Sequence, residues 1–428
     1  MSDVAAMAAS GSAGAPRAVR SLQAVRAAAA LTAIGSVTSP PVAVLGSALM
    51  LIAFAFVPDA PARLARVLRE PLGLGWLALV AAILVAALIG AVRNGPAAAA
   101  HGLLGWRHLL LLPVALAVFD TRASRLHFAF ALIGIALLGA VASLIAIQAG
   151  YSRNEMFPGI VLRNPVTQAL AFFIGALLAG VLAATQKAWP RLQRLALGLA
   201  ALLLVAQLAF LQTGRSGFVA LAVGMLVVVL LLLRGRALLV ALVALPLLGA
   251  AVFASSPNLQ QRFGVAVSEM RNAAQLPQYT SMGIRVIIWQ TSAEVVAQRP
   301  LLGHGLGGFA PAYEAQIKTR YSEGWKALPV LDPHNQYMFL WAEAGLLGLL
   351  GFASLGTGAL RQGGDHPFGA VGLALLAAWC VNSLFSSHFQ TFNEGHLIVL
   401  LLGVFLARTT APPFGGTAAG GGAPTVIA

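Results

Sequence analysis

An all-α membrane protein of about twelve helices is the architecture this sequence predicts, and three observations predict it. Hydrophobic residues make up 59% of the 428-residue chain and charged residues only 9%, whereas a soluble domain carries about a quarter of its residues as charges. The mean hydropathy is +0.85. Apolar runs long enough to cross a ~30 Å hydrocarbon core recur along the chain, and in lipid such runs must be helical because little else there satisfies the backbone.

The elements follow in order. Residues 1–20, rich in Ala, Gly and Ser, read as a disordered cytoplasmic tail without the pattern of a cleavable signal, and Arg17, Arg20 and Arg26 flank the entry into the membrane. Nine spans are predicted at 22–38, 41–57, 71–92, 101–119, 126–149, 165–185, 195–211, 217–233 and 237–254, forming one membrane block over 21–254. Residues 255–334 are polar and mixed, a large loop between spans nine and ten. Spans at 335–360, 367–387 and 394–408 complete a second block over 335–408, and the Gly-rich 409–428 reads as a disordered cytoplasmic tail. No repeat of 20–50 residues stands out.

Positive charge sets the expected orientation. Segments holding Arg26, Arg63, Arg66, Arg69, Arg122, Arg125, Arg361 and Arg408 alternate with short loops that hold only Arg93, Arg107, Arg153, Arg163 and Arg215. The richer side is cytoplasmic by the positive-inside rule, so both termini are expected inside and 255–334 outside, in the periplasm. The net charge of +14 is spread between spans and forms no basic stripe with interleaved aromatics, which excludes a nucleic-acid partner. Cys380 lies inside an apolar run and stands alone, so there is no intrachain disulfide and no cysteine metal site. A P-loop, a His-Glu-x-x-His motif and an Asp-x-Asp pair are all missing, so neither metal nor cofactor is expected.

Three helix starts carry the candidate chemistry. Asp332-Pro333-His334-Asn335 reads as an N-cap at Asp332 with Pro333 at the first helical position, which places His334 in the first turn of span ten. There the helix dipole disfavours imidazolium, so a ring neutral near pH 7 is available as a general base; the competing reading is a polar tip decorating an interface. Asn164 caps and Pro165 opens span six, with Arg163 just before, and Gln212-Thr213-Gly214-Arg215-Ser216-Gly217 plays a similar part at span eight. Helix starts and guanidinium groups facing one compartment suit a phosphate. The alternative is that each arginine reaches to lipid headgroups, which is weakest for Arg215 in its short loop on the disfavoured side.

Within the loop, Ile284, Ile288, Thr291 and Val295 recur at helical spacing over 283–298, with Arg285 and Trp289 on another face, so a helix lying on the membrane is expected. Trp289 is either an interfacial anchor or a platform for a sugar. His304, among the glycines of 303–308, reads as a turn residue. Glu343, inside span ten, either orients His334 or an arginine or forms a structural polar link.

Arg215-Ser216-Gly217, Gly283-Ile-Arg285 with Trp289, Pro300-Leu-Leu-Gly-His-Gly305, His334-Asn335-Gln-Tyr337 and Glu343-Ala-Gly345-Leu-Leu-Gly348 occur in an order that resembles the O-antigen ligase and polymerase superfamily, over roughly 160–360. Within it the chain looks most like an O-antigen ligase, with a C-type glycosyltransferase-like architecture. The resemblance implies inverting, metal-independent transfer of a glycan from undecaprenyl pyrophosphate to a sugar hydroxyl of lipid A-core, at the periplasmic face of the bacterial inner membrane. It assigns Arg215 and Arg285 to the pyrophosphate and His334 to the base; Arg163, Asn164, Trp289, Asn335 and Glu343 are expected around the substrates. An O-antigen polymerase or a protein O-oligosaccharyltransferase shares this logic and differs in acceptor. A lipid-linked glycan transporter is the rival from another class, and its usual inverted repeats and midplane polar sites are not evident.

Overall fold

The computed structural model describes residues 2–151, 158–211, 215–273 and 278–410; at 2–18, 215, 216, 258, 259 and 262 the backbone alone is described. Every regular element among them is helical. The α-helices are α1 (Ser2–Thr38), α2 (Pro40–Ala55), α3 (Ala60–Leu68), α4 (Pro71–Arg93), α5 (Pro96–Leu104), α6 (Leu111–Val118), α7 (Arg122–Gln148), α8 (Pro165–Thr185), α9 (Arg191–Ala206), α10 (Arg215–Leu232) and α11 (Gly235–Ser255). After them come α12 (Pro257–Arg271), α13 (Ser281–Gln298), α14 (Phe309–Lys318), α15 (Gln336–Gln362), α16 (Phe368–Asn382) and α17 (Phe392–Phe405).

Each of the twelve expected spans falls on helix over most of its length, but they are not twelve equal rods. Among the described residues, six helices are individually long and apolar enough to cross a membrane, or eight if α2 with α3 and α5 with the 107–118 segment are each one bent span. The bends are 108° and 49°. Three further apolar helices, Gly217–Leu232, α16 and α17, are shorter. The chain is a multi-pass membrane protein. Its outer faces fit that reading: α11 buries no side chain and exposes Leu239, Val240, Val243 and Leu247, as a helix bathed in lipid does.

α4 and α15 form the spine. They approach through glycine: a Cβ on Gly75 would lie 2.3 Å from the Ser354 carbonyl oxygen, and one on Gly358 would lie 2.4 Å from that of Pro71. Small residues let helix backbones close in this way where lipid offers no hydrophobic drive. α15 is broken at Gly345 (φ 63°, ψ −159°), which releases carbonyls from the helical ladder. The 300–307 turn occupies the gap: His304 N–H donates to Ala342 O (2.8 Å), Gly305 N–H to Glu343 O (2.9 Å), and Leu346 N–H reaches back to Pro300 O (3.0 Å). From the α4 side, Arg93 donates to Gly303 O (2.9 Å) and Asn94 to His304 O (3.0 Å). The turn is thus clamped between two membrane helices.

That clamp carries α13 and α14. Ile284, Ile288 and Val295, the stripe expected to face lipid, instead pack in a second hydrophobic cluster with Phe309, Tyr313, Ile317 and Phe339. The correction has a simple cause: a helix with partner helices on its apolar side buries that side against them before it offers it to a membrane. At the opposite end of the bundle Asp120 accepts from Arg26 (3.0 Å) and Arg63 (2.6 Å), and Arg125 donates to Asp365 (2.7 Å).

Candidate active site

His334 lies just before α15, not inside it. Asn335 is the N-cap, its side-chain oxygen accepting from the N–H groups of Tyr337 and Met338 at 3.0 and 3.1 Å. The expected cap, Asp332, does something else: its Oδ1 accepts from the His334 N–H at 2.6 Å, two residues on, a side-chain mimic of a backbone turn. His334 consequently sits at φ 51°, the only non-glycine residue at positive φ among those described. Such backbone costs about 1–3 kcal/mol, while a hydrogen bond to a carboxylate returns about 1.5–3 kcal/mol. The bond is large enough to hold the turn.

Neighbouring elements grip the same turn. Trp289, on α13, donates its indole N–H to Pro333 O at 3.1 Å and tilts against Phe385; it holds backbone beside the histidine, a role neither sequence reading anticipated. Ser387 donates its hydroxyl to Asp332 Oδ1 at 2.6 Å. Fully buried Gln336 fastens the 383–389 turn by donating its N–H to Ser383 O (2.9 Å) and accepting from Phe389 N–H (2.9 Å). Arg285, one helical turn before Trp289, donates to Ser281 O and Oγ, both at 2.7 Å, and is close enough to influence His334 electrostatically.

Burial holds the His334 imidazole below its ordinary pKa; the Asp332 carboxylate opposes this and the Arg285 guanidinium adds to it. The direction is the one expected from the sequence, and its main cause is desolvation by burial of the ring. His388 lies deeper, 4% exposed, and Nδ1 has no hydrogen-bond partner among the described residues. Burial lowers its pKa as well, against the nearby carboxylates of Glu394 and Asp332. Glu394 Oε1 and Asn164 Oδ1 lie 3.1 and 3.0 Å from Thr167 Oγ1 and share its single hydroxyl proton. Asn164 is the expected cap of α8, accepting from Thr167 N–H at 2.8 Å. A polar track therefore leads from α13 through the His334 turn to the start of α8.

The other sequence candidates divide. Asn335 is committed to capping and to Leu384 O (3.1 Å). Glu343 belongs to the joint, not to His334 or an arginine among the described residues: its carboxylate accepts from Gly307 N–H at 2.9 Å and is 5% exposed. His304 is the turn residue expected, its Nε2 3.0 Å from Val295 O. Arg163 is half-buried, with its backbone N–H on Val37 O (3.3 Å). α10 begins at Arg215, but that side chain lies outside the described ones. Sequence reasoning missed Ser387, His388 and Glu394. The signal was present as polar residues at the facing ends of two predicted spans, with His388 between them, on the side expected to carry His334.

An "Uncharacterized protein" of Haemophilus influenzae is 25% identical over 158 residues, 36% of this chain and 39% of that protein. A protein of Rickettsia conorii named "Putative polysaccharide ligase" is 32% identical over 80 residues, 18% of this chain and 19% of the relative. A Rickettsia bellii protein with the same name is 32% identical over 92 residues, 21% and 22% of the two chains. The matches thus span less than two thirds of each relative. Residues 199–353, which hold Arg285, Trp289, His334 and Glu343, match the family model described as O-antigen ligase, the family that the motifs resemble.

Proposed function

We propose that the protein is a glycosyltransferase of the O-antigen ligase kind, moving a polysaccharide from undecaprenyl pyrophosphate to a sugar hydroxyl of lipid A-core at the periplasmic face of the inner membrane. The observation that carries this reading is the His334 turn: a largely desolvated imidazole, kept neutral near pH 7, with the Arg285 guanidinium beside it. His334 removes the proton from the acceptor hydroxyl as that oxygen attacks the anomeric carbon from the face opposite the leaving group. The carbon–oxygen bond to pyrophosphate breaks, its electron pair departs with undecaprenyl pyrophosphate, and the configuration inverts. Arg285, with Arg215, offsets the charge that grows on the leaving group.

Purified protein in detergent, given lipid-linked glycan and lipid A-core, is expected to transfer glycan without ATP and equally with a chelator present. Transfer that requires a divalent metal would defeat the metal-free mechanism, and glycan chain growth without core as acceptor would favour a polymerase. The acid limb of the rate should fall below the ordinary histidine pKa of ~6.5, because the lowered His334 pKa leaves the ring neutral through pH 7 and activity is lost only as pH drops through that lowered value.

A further inference from the structure

We propose that Asp332 is the positioning residue of His334: one carboxylate locks the left-handed turn that aims the imidazole and keeps negative charge beside it. The proposal rests on the reading of His334 as the base. Asp332 Oδ1 accepts from the His334 N–H and from the Ser387 hydroxyl, each at 2.6 Å, so one atom ties the turn to the segment between α16 and α17. Without that acceptor the His334 N–H loses its bond at a φ of 51°, a conformation histidine rarely keeps, and the grip of Trp289 on Pro333 O bears only on the preceding residue.

Charge is the second half of the role. The groups that face this cluster are Arg285 from α13, His388 from the 383–391 turn, Glu394 from α17 and, reaching Asp332 from within α15, Glu343. Arg285 and burial both disfavour imidazolium at His334, and Asp332 favours it. A base in a desolvated site beside a guanidinium needs such a carboxylate to accept a proton at all readily. Asparagine offers the same carbonyl acceptor to the His334 N–H but carries no charge, so the geometric and electrostatic parts separate in two substitutions.

The test uses the full chain in detergent and diethyl pyrocarbonate, which modifies neutral imidazole; mass spectrometry reads the His334 peptide across pH. Asp332→Asn is expected to move the midpoint of His334 modification to lower pH while leaving its plateau rate near that of the unaltered protein. Asp332→Ala should also raise the plateau several-fold, as the turn lets the ring go. In the transfer assay, Asp332→Asn should lower kcat at least ~10-fold with KM nearly unchanged. An unshifted midpoint in Asp332→Asn, or an unchanged plateau in Asp332→Ala, overturns the proposal. These modification readouts do not depend on turnover, so absence of transfer by the unaltered protein counts against the glycosyltransferase reading alone.

Discussion

The surroundings of His334 and the opposite end of the helix bundle handle charge in different ways. At one end guanidinium and carboxylate cancel directly: Asp120 takes both Arg26 and Arg63, and Asp365 takes Arg125, whose guanidinium also reaches Ala407 O at 2.6 Å. At the other, Asp332 spends an oxygen on a backbone N–H and a hydroxyl, and Glu394 shares the hydroxyl of Thr167 with Asn164. Ion pairs between helices staple distant segments; carboxylates held by neutral donors keep their charge for the neighbouring imidazoles. The first arrangement holds the bundle together, and under the proposed function the second serves chemistry.

Substitutions at the two ends should therefore fail differently. His334→Ala is expected to reduce glycan transfer by at least ~100-fold, the contribution of a general base, with an unchanged melting temperature; a mutant transferring at the normal rate would end the comparison. Arg285→Lys keeps the charge and loses the planar fork, and a drop of roughly 10-fold or more in kcat is expected in the same assay. Asp120→Ala should do the reverse. It leaves the partly buried Arg26 without its carboxylate and Arg63 with Asp59 alone, a loss of about 3 kcal/mol at the lower end for a broken buried pair, read as a lower thermal midpoint with transfer per folded molecule preserved. The smallest effect sharpens the boundary between the ends: Glu343→Gln keeps an acceptor for the Gly307 N–H, so about 1 kcal/mol of stability and less than ~3-fold in transfer should be lost, whereas a collapse of activity would return Glu343 to the reacting groups.

Much of the fold was legible in the residues. The helical nature of each expected span follows from apolar length, and the start of α8 follows from Asn164-Pro165, because a cap is made between residues three apart. The same local logic misled at Asp332-Pro333: Asn335, three residues on, makes the cap, while Asp332 closes the turn before it. Helical spacing also suggested an α13 lying on the membrane, since periodicity shows that a stripe is apolar without showing what covers it.

The sequence by itself determined that this chain is a stack of apolar helices with polar turns, and it pointed to His334, Arg285 and the 300–305 turn, because backbone satisfaction in lipid and capping act over a few residues. Only the tertiary structure decided that Glu343 would hold the 300–307 turn at the Gly345 break, and that Ser387, His388 and Glu394 would gather around Asp332. Those contacts join segments tens to hundreds of residues apart. They depend on which helix faces meet, and that choice belongs to packing.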